Sequence, residues 1–255
     1  MSKLPKEYQF VDLSDYGRFV ARRIAGSLKN TSVTPIQVTY WFIISGLLAI
    51  VCIFYELNIA AAFFLILKSI LDAADGELSR LKKIPSYVGR YFDSIADIVL
   101  NFLFLLTFWY VTEISALFFL FAFIGLQLQG TLFNYYYVIL RNSVDGDTTS
   151  RIFEDKVPTA MKGEDQHTVN KYFKVFNVLY RPFDKIIHAI DKDAVNSKPF
   201  PKWFMTSVSS MGLGFQLLIM SIMLLLNLEE FIITFFLFYS AQILLLVGIR
   251  RFVLK

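Results

Sequence analysis

Long runs without a charged residue limit the fold of this chain more than any other feature of its sequence. The four uncharged runs are residues 31–55, 114–140, 203–228 and 231–249. Each is close to or above the ~20 residues that a helix needs to cross ~30 Å of hydrocarbon. Two more apolar stretches, 57–80 and 88–112, carry ionisable residues only toward the ends that meet each other. The sequence therefore predicts an all-α integral membrane protein with six transmembrane helices.

Composition agrees with this prediction. Hydrophobic residues make up 56% of the 255 residues, 27 of them are Phe, and the mean hydropathy is +0.53. A soluble domain of this size could not bury that much apolar surface. Cys52 is the only cysteine, so we expect a buried thiol in the first span and no intramolecular disulfide. The first 30 residues are polar and charged, and no cleavable signal is expected there.

The basic residues are distributed unevenly among the loops. Three inter-span loops contain Glu56, Glu113, and Glu229 with Glu230, but neither Lys nor Arg. Nearly all Lys and Arg residues lie in the N-terminus, the 80–90 turn, the 141–202 segment and the C-terminus. The positive-inside rule then predicts that both termini and the two charged connections, the 80–90 turn and the 141–202 segment, lie on the cytoplasmic side. Anionic lipid headgroups can balance this charge, and no nucleic-acid partner is needed.

The predicted spans divide the chain into four segments. Residues 1–30 form an N-terminal cytoplasmic or interfacial helix, and residues 31–141 contain spans 1–4. Residues 142–202 form a cytoplasmic loop and an amphipathic helix. Residues 203–255 contain spans 5–6 and a basic C-terminus. In the first segment a soluble core helix fits the apolar periodicity as well as a helix in the membrane interface does, but the adjoining span favours the interfacial helix. In the third segment, Asp145-Gly146-Asp147 predicts a turn, and Pro182 should kink or divide the helix.

Four aspartates occupy places where a membrane protein should least tolerate them. Asp72 and Asp75 are three residues apart near the end of the second span, and Asp93 and Asp97 are four apart near the start of the third. Each pair shares one helix face, and the turn containing Pro85 allows the two faces to meet. Two carboxylates ~4 Å apart repel each other by ~4 kcal/mol at an effective dielectric of 20. The group therefore needs a counter-charge.

A divalent cation is the best candidate for that counter-charge. Lys68 and Arg80 supply at most two positive charges, and Arg80 lies at the water-facing end. Because the nearby ligands are all oxygen atoms, the site suits Mg²⁺ or Mn²⁺ rather than Zn²⁺. His167 and His188 lie in the cytoplasmic segment, and we interpret them as ordinary surface or interface residues.

Residues between the aspartates also suit phosphate chemistry. Gly76 lets a ligand approach the backbone closely, and Arg80 offers a planar fork for phosphate oxygens. Gly89 precedes Asp93 by one turn and could allow close approach of a helix or a ligand. Taken singly, Gly76 also suits helix packing, and Arg80 also suits positive-inside charge.

Together these residues resemble a known family, the CDP-alcohol phosphotransferases, also called CDP-alcohol phosphatidyltransferases. The pattern is Asp72-x2-Asp75-Gly76-x2-Ser79-Arg80-x8-Gly89-x3-Asp93-x3-Asp97. Every position agrees with the family in spacing, and only Ser79 differs in identity, because the family usually has Ala there. Thr34-Pro35 resembles the family's Thr-Pro-Asn, with Ile36 in place of Asn. Ser86 matches a Ser or Thr that is common there.

The resemblance implies a fold of six spans, a homodimer and a reaction with two metal ions. It implies that Asp72, Asp75 and Asp93 are mainly metal ligands that clamp the pyrophosphate of a CDP-linked donor. Asp97 would touch one metal ion and accept the proton of the attacking hydroxyl. The donor-binding residues would be Gly76, Arg80, Ser86, Gly89, Thr34 and Pro35.

The resemblance leaves the substrates open. Asp93-Ser94-Ile95-Ala96-Asp97 is similar to phosphatidylserine synthases, whereas Asp75-Gly76-Glu77-Leu78 looks more like members that use other headgroups or inositol phosphates. CDP-diacylglycerol is the favoured donor. The alternative is transfer from a donor like CDP-choline or CDP-ethanolamine to a lipid alcohol. Lys171, Lys174 and Arg181 could attract an anionic acceptor or simply anchor the amphipathic helix.

Two readings outside the family are also kept. A cation transporter would place acidic residues in its spans, but along a path across the membrane rather than in one cluster. A scaffolding protein has no reason to bring four aspartates together. Release of CMP from a CDP-linked donor would separate the enzyme from both.

Overall fold

The computed structural model describes residues 4–144 and 153–254. Within these ranges the chain is helical, with short 3-10 turns and no strand. The α-helices are α1 (Arg18–Leu28), α2 (Pro35–Phe54), α3 (Asn58–Lys82), α4 (Tyr87–Thr112), α5 (Ala116–Ser143), α6 (Gln166–Ile190), α7 (Lys202–Ser209), α8 (Leu213–Leu225), α9 (Ile232–Tyr239) and α10 (Gln242–Val253). The predicted turn Asp145-Gly146-Asp147 lies outside the described residues.

In the described part of the chain, four helical stretches are long and apolar enough to cross a membrane. They are α2, α4, α5 and Glu229–Val253, the last of which contains α9 and α10. Counting α7 and α8 as one bent span gives a fifth. These helices are compatible with an integral membrane protein. Helix α3 is 25 residues long but carries Lys68, Asp72, Asp75 and Glu77, so its place as a sixth span stays a prediction.

The stretch predicted as a single fifth span is broken. Helices α7 and α8 are bent by 51° across the break. A short N-terminal turn, Leu13–Asp15, lies at this break, where the backbone N–H of Leu13 donates to Ser209 Oγ at 2.9 Å. A Cβ on Gly214 would lie 1.8 Å from the carbonyl oxygen of Ser14, so only glycine allows this approach. Residues 203–228 can still form the predicted fifth span, but as two helices that bend at the inserted turn.

Helix α6 packs against α4 and α5. It begins at Asp165, whose carboxylate accepts a hydrogen bond from the backbone N–H of Thr168 at 2.8 Å. Val169, Phe173 and Ile187 are buried, and the remaining apolar positions are partly exposed. Pro182 lies inside the helix without dividing it, contrary to one of the predicted outcomes. The proline is exposed, so the backbone carbonyl that loses its hydrogen bond to the missing N–H lies on the same turn as solvent-exposed side chains.

Helix α1 packs against α3 through two small residues. Ala21 and Ala25 are fully buried, whereas Phe19 and Val20 are 65% and 44% exposed. The two large apolar side chains therefore face away from the bundle. This arrangement suits the predicted interfacial helix better than a helix buried in a soluble core.

The turn between α3 and α4 brings the two aspartate pairs together. Helix α3 ends at Lys83, which has a positive φ of 57° and reverses the chain. Helix α4 begins after Ser86, whose hydroxyl accepts a hydrogen bond from the backbone N–H of Gly89. Cys52 is buried in α2, as predicted.

Candidate active site

The four aspartates of the motif line one cavity of about 480 Å³. Helices α3 and α4 form the wall that carries them, and α5, α6, α8 and the Leu13–Asp15 turn contribute the other walls. The structure therefore brings together side chains that are separated by most of the length of the chain.

Three of the aspartates form a compact group. One carboxylate oxygen each from Asp72, Asp75 and Asp93 lies within 4.8 Å of the others. Thr39 of α2 donates a hydrogen bond to Asp75 Oδ2 at 2.7 Å, while Asp93 Oδ1 is buried and has no hydrogen-bond partner among the described residues. An unpaired buried carboxylate oxygen is costly unless a cation reaches it. The all-oxygen group therefore fits a hard divalent cation such as Mg²⁺ or Mn²⁺.

Asp97 stands apart from this group because a lysine binds it. The ammonium of Lys68 donates to Asp97 Oδ1 and to Asp72 Oδ2, the latter at 3.2 Å. Lys68 is fully buried, and its Nζ lies 4.6 Å above the centre of the Phe42 ring. The sequence showed Lys68 only as a partial counter-charge. Its position one turn before Asp72 could have indicated this direct contact.

A cluster of arginines surrounds Glu77 at another part of the cavity. Glu77 is 3% exposed and forms ion pairs with Arg18 at 3.3 Å, Arg22 at 3.5 Å and Arg80 at 3.3 Å. Arg80 also has a buried Nε without a partner in the described part of the chain. Gly76 lies beside it, and a Cβ there would only touch Arg80 at 3.5 Å. Arg80 and Gly76 both line the cavity, where a phosphate could reach them.

The other predicted donor-binding residues do not line the cavity. Ser86 caps α4 and donates a hydrogen bond to Glu164 Oε1 at 2.7 Å, and a Cβ on Gly89 would contact that same serine. Thr34 caps α2 with Gln37, and Pro35 is the first residue of that helix. These residues start the two helices that carry Thr39 and the second aspartate pair. Direct contact with the donor stays a prediction for them.

Acidic groups from the loop before α6 and from α6 itself complete the cavity. Glu154 forms an ion pair with Arg90 at 2.6 Å and lines the cavity with Asp184. Burial, reinforced by the charge of Glu154, raises the pKa of Asp184 to about 7. Burial also tends to raise the pKa of Glu164. Hydrogen bonds from Ser86 and the α4 backbone outweigh this effect, and the pKa of Glu164 is lowered.

The structure also shows cavity residues that the sequence did not indicate. Asn101 of α4 and Gln127 of α5 are buried and line the cavity, and Tyr180 of α6 donates to the carbonyl of Ser94 at 2.6 Å. For Asn101 and Gln127, the one sequence feature that could have indicated a place in the cavity is a polar amide within a long apolar run. His167 and His188 do not line the cavity, and the His188 ring instead contacts Tyr135 and Phe153.

Comparison with known families agrees with this geometry. The family model for CDP-alcohol phosphatidyltransferase matches residues 32–162, which include all four aspartates. The chain belongs to the CDP-alcohol phosphatidyltransferase family. No curated protein matches the chain.

Membership of the CDP-alcohol phosphatidyltransferase family confirms the resemblance seen in the sequence. The family consists of transferases of phospholipid biosynthesis, which transfer a phosphoryl-alcohol group from a CDP-alcohol to an alcohol acceptor. Its members use divalent metal ions, and the group formed by Asp72, Asp75 and Asp93 could hold such an ion.

Proposed function

We propose that this enzyme transfers a phosphatidyl group from CDP-diacylglycerol to an alcohol and releases CMP. The observation that carries the proposal is the group formed by Asp72, Asp75 and Asp93, whose oxygens lie within 4.8 Å of one another on the wall of the cavity. Carboxylates gathered in this way fit the pyrophosphate chemistry of the family better than cation transport, because a transporter should spread them along a path.

The side chains have separate roles in this proposal. Asp72, Asp75 and Asp93, with Asp97 at the edge, would hold two Mg²⁺ or Mn²⁺ ions. When bound, such ions neutralise the pyrophosphate oxygens and favour in-line displacement. The hydrogen bond from Thr39 fixes the orientation of Asp75.

Asp97 accepts the proton of the attacking hydroxyl in this scheme. The ammonium of Lys68 forms an ion pair with the Asp97 carboxylate and so fixes the position of that carboxylate. A carboxylate beside cations is a weak base, and much of its contribution must therefore come from position. Lys68 is a positioning residue here.

The donor binds beside the first aspartate pair. Arg80 has an unpaired buried Nε that suits a phosphate oxygen, and Gly76 leaves room for the phosphate. Ser86, Gly89, Thr34 and Pro35 are retained as donor contacts from the resemblance. For Ser86 this requires that its hydroxyl exchange Glu164 for the donor.

We place the site at the cytoplasmic face of a six-span protein, with α3 as the span that carries the first aspartate pair. Because α3 packs against α1, α2 and α8, its charged face can point into the cavity rather than into lipid. The basic residues of the α3–α4 turn and of α6 support this sidedness. The homodimer remains a prediction from the family resemblance.

Turnover by purified protein tests the proposal. Detergent-solubilised enzyme with Mn²⁺ and labelled CDP-diacylglycerol should release CMP when an alcohol is added, and a chelator should abolish the release. Asp72→Asn, Asp75→Asn and Asp93→Asn should each lose about a hundredfold or more in turnover and require more Mn²⁺, because each removes stabilisation of several kcal/mol. Asp97→Asn should lose turnover but still bind the donor.

Asp193→Asn is the matched control, because Asp193 is exposed and does not line the cavity. Its turnover and metal requirement should equal those of the wild type. Full turnover in chelator would contradict the metal assignment. Turnover with CDP-choline but not with CDP-diacylglycerol would show that the lipid is the acceptor.

A further inference from the structure

Two buried amide side chains that line the cavity each carry an atom without a hydrogen-bond partner in the described part of the chain. Asn101 and Gln127 are 5% and 6% exposed, and both line the same cavity as the aspartates. Asn101 Oδ1 and Gln127 Nε2 have no hydrogen-bond partner among the described residues. Helices α4 and α5, which carry them, are in contact. Two side chains that line adjoining walls of the cavity therefore carry one unpaired acceptor and one unpaired donor among the described residues.

The other buried amides that the structure describes, Gln129 and Gln216, are paired. Gln216 Nε2 donates to Gln129 Oε1 at 3.0 Å and to the carbonyl of Leu126 at 3.1 Å. Gln129 Nε2 donates to Ser240 Oγ at 3.0 Å, so these two glutamines join α5, α8 and α9. Their role is structural. Asn101 and Gln127 differ because their unpaired atoms belong to side chains that line a cavity large enough for a ligand.

The position of the amides relates them to the reacting groups. Asn101 lies one helical turn beyond Asp97 on α4, so both side chains share one face. On α5, Gln127 is followed at helical spacing by Thr131 and Asn134, which also line the cavity. A polar stripe of uncharged side chains on α5 thus forms a wall next to the residue that accepts the proton of the attacking alcohol.

This wall carries no charged side chain among the described residues. The cavity-lining residues of α5 and α8 include Leu126, Thr131, Phe133, Asn134 and Gln216, and none of them is Asp, Glu, Lys or Arg. The arginines of the cavity lie instead on α1, α3 and α4. The exposed basic residues Lys171 and Lys174 of α6 are outside the cavity lining. An anionic acceptor would therefore lack a counter-charge on this wall.

We propose that Asn101 and Gln127 form the acceptor subsite and that the acceptor is an uncharged polyhydroxy alcohol. One hydroxyl of the acceptor donates to Asn101 Oδ1 and accepts from Gln127 Nε2, so a single group satisfies both amides. A neighbouring hydroxyl gives its proton to Asp97 while its oxygen bonds to the donor phosphorus and the bond to CMP breaks. This inference rests on the proposed function, because it requires transfer to an alcohol.

The test measures CMP release at increasing acceptor concentration. Enzyme in detergent with Mn²⁺ and CDP-diacylglycerol is given glycerol or myo-inositol, and in parallel glycerol 3-phosphate or inositol 1-phosphate. Asn101→Leu and Gln127→Met should raise the KM for the neutral alcohol by about tenfold while the KM for CDP-diacylglycerol stays within about twofold. If Asn101→Leu does not fold, Asn101→Ala gives the same comparison.

Gln129→Met is the matched control, since it also removes a buried amide from α5 but one that does not line the cavity. It should lower Tm and leave the acceptor KM unchanged. An unchanged acceptor KM in the Asn101 and Gln127 variants would overturn the subsite. A preference of the wild type for the phosphorylated alcohols would overturn the uncharged class.

The failure of the proposed function would look different. In that case the wild-type enzyme would release no CMP from CDP-diacylglycerol with any of the four alcohols. A further readout is independent of turnover: myo-inositol should raise the Tm of the wild type and of Gln129→Met, but not that of Gln127→Met. An equal rise of Tm in all three proteins would contradict the subsite.

Discussion

Lys68 is buried in α3 between two aspartates of the motif. Its ammonium contacts Asp72 and Asp97 and lies over the ring of Phe42. Among the described residues, the ion pairs of the four aspartates are all made with Lys68, whereas Arg80 pairs with Glu77. The lysine therefore limits the repulsion that would otherwise drive the aspartate-bearing faces of α3 and α4 apart.

Replacing this lysine should make the fold depend on metal. Lys68→Met keeps the volume but removes the charge, and breaking a buried ion pair costs about 3–5 kcal/mol. We expect a clearly lower Tm than that of the wild type in chelator, and a larger gain of Tm on addition of Mn²⁺. Thermal unfolding in detergent measures both.

Lys174→Met serves as the control, because Lys174 is exposed on α6 and does not line the cavity. Its Tm should follow that of the wild type with and without Mn²⁺. Equal Tm values for Lys68→Met and the wild type in chelator would show that the lysine does not stabilise the metal-free site.

The spacing of the aspartates predicted their convergence, but not the side chains that reach them from elsewhere. Asp72, Asp75, Asp93 and Asp97 could be placed together because helix periodicity and a short turn determine their faces. Thr39 lies 36 residues before Asp75 and reaches it only through the packing of α2 on α3. Contacts of this kind depend on how helices cross, which a single sequence does not encode locally.

At the level of helices, Asp191 joins three elements. It follows α6, is fully buried, and accepts hydrogen bonds from Tyr136 of α5 at 2.6 Å and from Arg250 Nε of α10 at 2.6 Å. Arg251 adds a longer contact at 3.4 Å. The amphipathic helix is thus tied to the bundle by charge as well as by its apolar face.

Neutralising this aspartate should loosen the end of α6. Asp191→Asn leaves Arg250 buried without its counter-charge, which we expect to lower the free energy of unfolding by about 3–5 kcal/mol. Thermal unfolding in detergent and limited proteolysis near residue 191 measure the effect. Asp193→Asn, an exposed change in the same turn, should alter neither. An unchanged Tm of Asp191→Asn would show that apolar contacts alone hold α6 against the bundle.

The helices themselves were largely predictable, and the exception has a physical cause. Uncharged runs gave α2, α5 and the C-terminal helical stretch because a helix in hydrocarbon must satisfy its own backbone. The break between α7 and α8 was missed because residues 203–228 contain no charge. The run of Ser209, Ser210, Gly212 and Gly214 was the local signal. This run indicates a break only when the contact with the distant Leu13–Asp15 turn is known, because that turn packs against Ser209 and Gly214.

For the whole molecule, the distribution of basic residues predicts which loops face the cytoplasm. In a Cys52→Ala background, single cysteines at Leu57, Ile114 and Leu228 should react with an impermeant maleimide in intact cells. Cysteines at Pro85 and Lys162, which are exposed in the structure, should react only after permeabilisation. The background protein without added cysteine is the control. Labelling of position 162 in intact cells would place the cavity on the opposite face.

The insertion of the Leu13–Asp15 turn at the α7–α8 break has a consequence for biogenesis. The turn precedes the first span, yet Ser209, which accepts its hydrogen bond, lies 196 residues after Leu13, and Gly214 follows Ser209. A nascent chain that ends at residue 162 already has all four aspartates but lacks the α8 wall of the cavity. The cavity can therefore be completed only after α8 has been made, and until then the Leu13–Asp15 turn lacks the residues that it packs against.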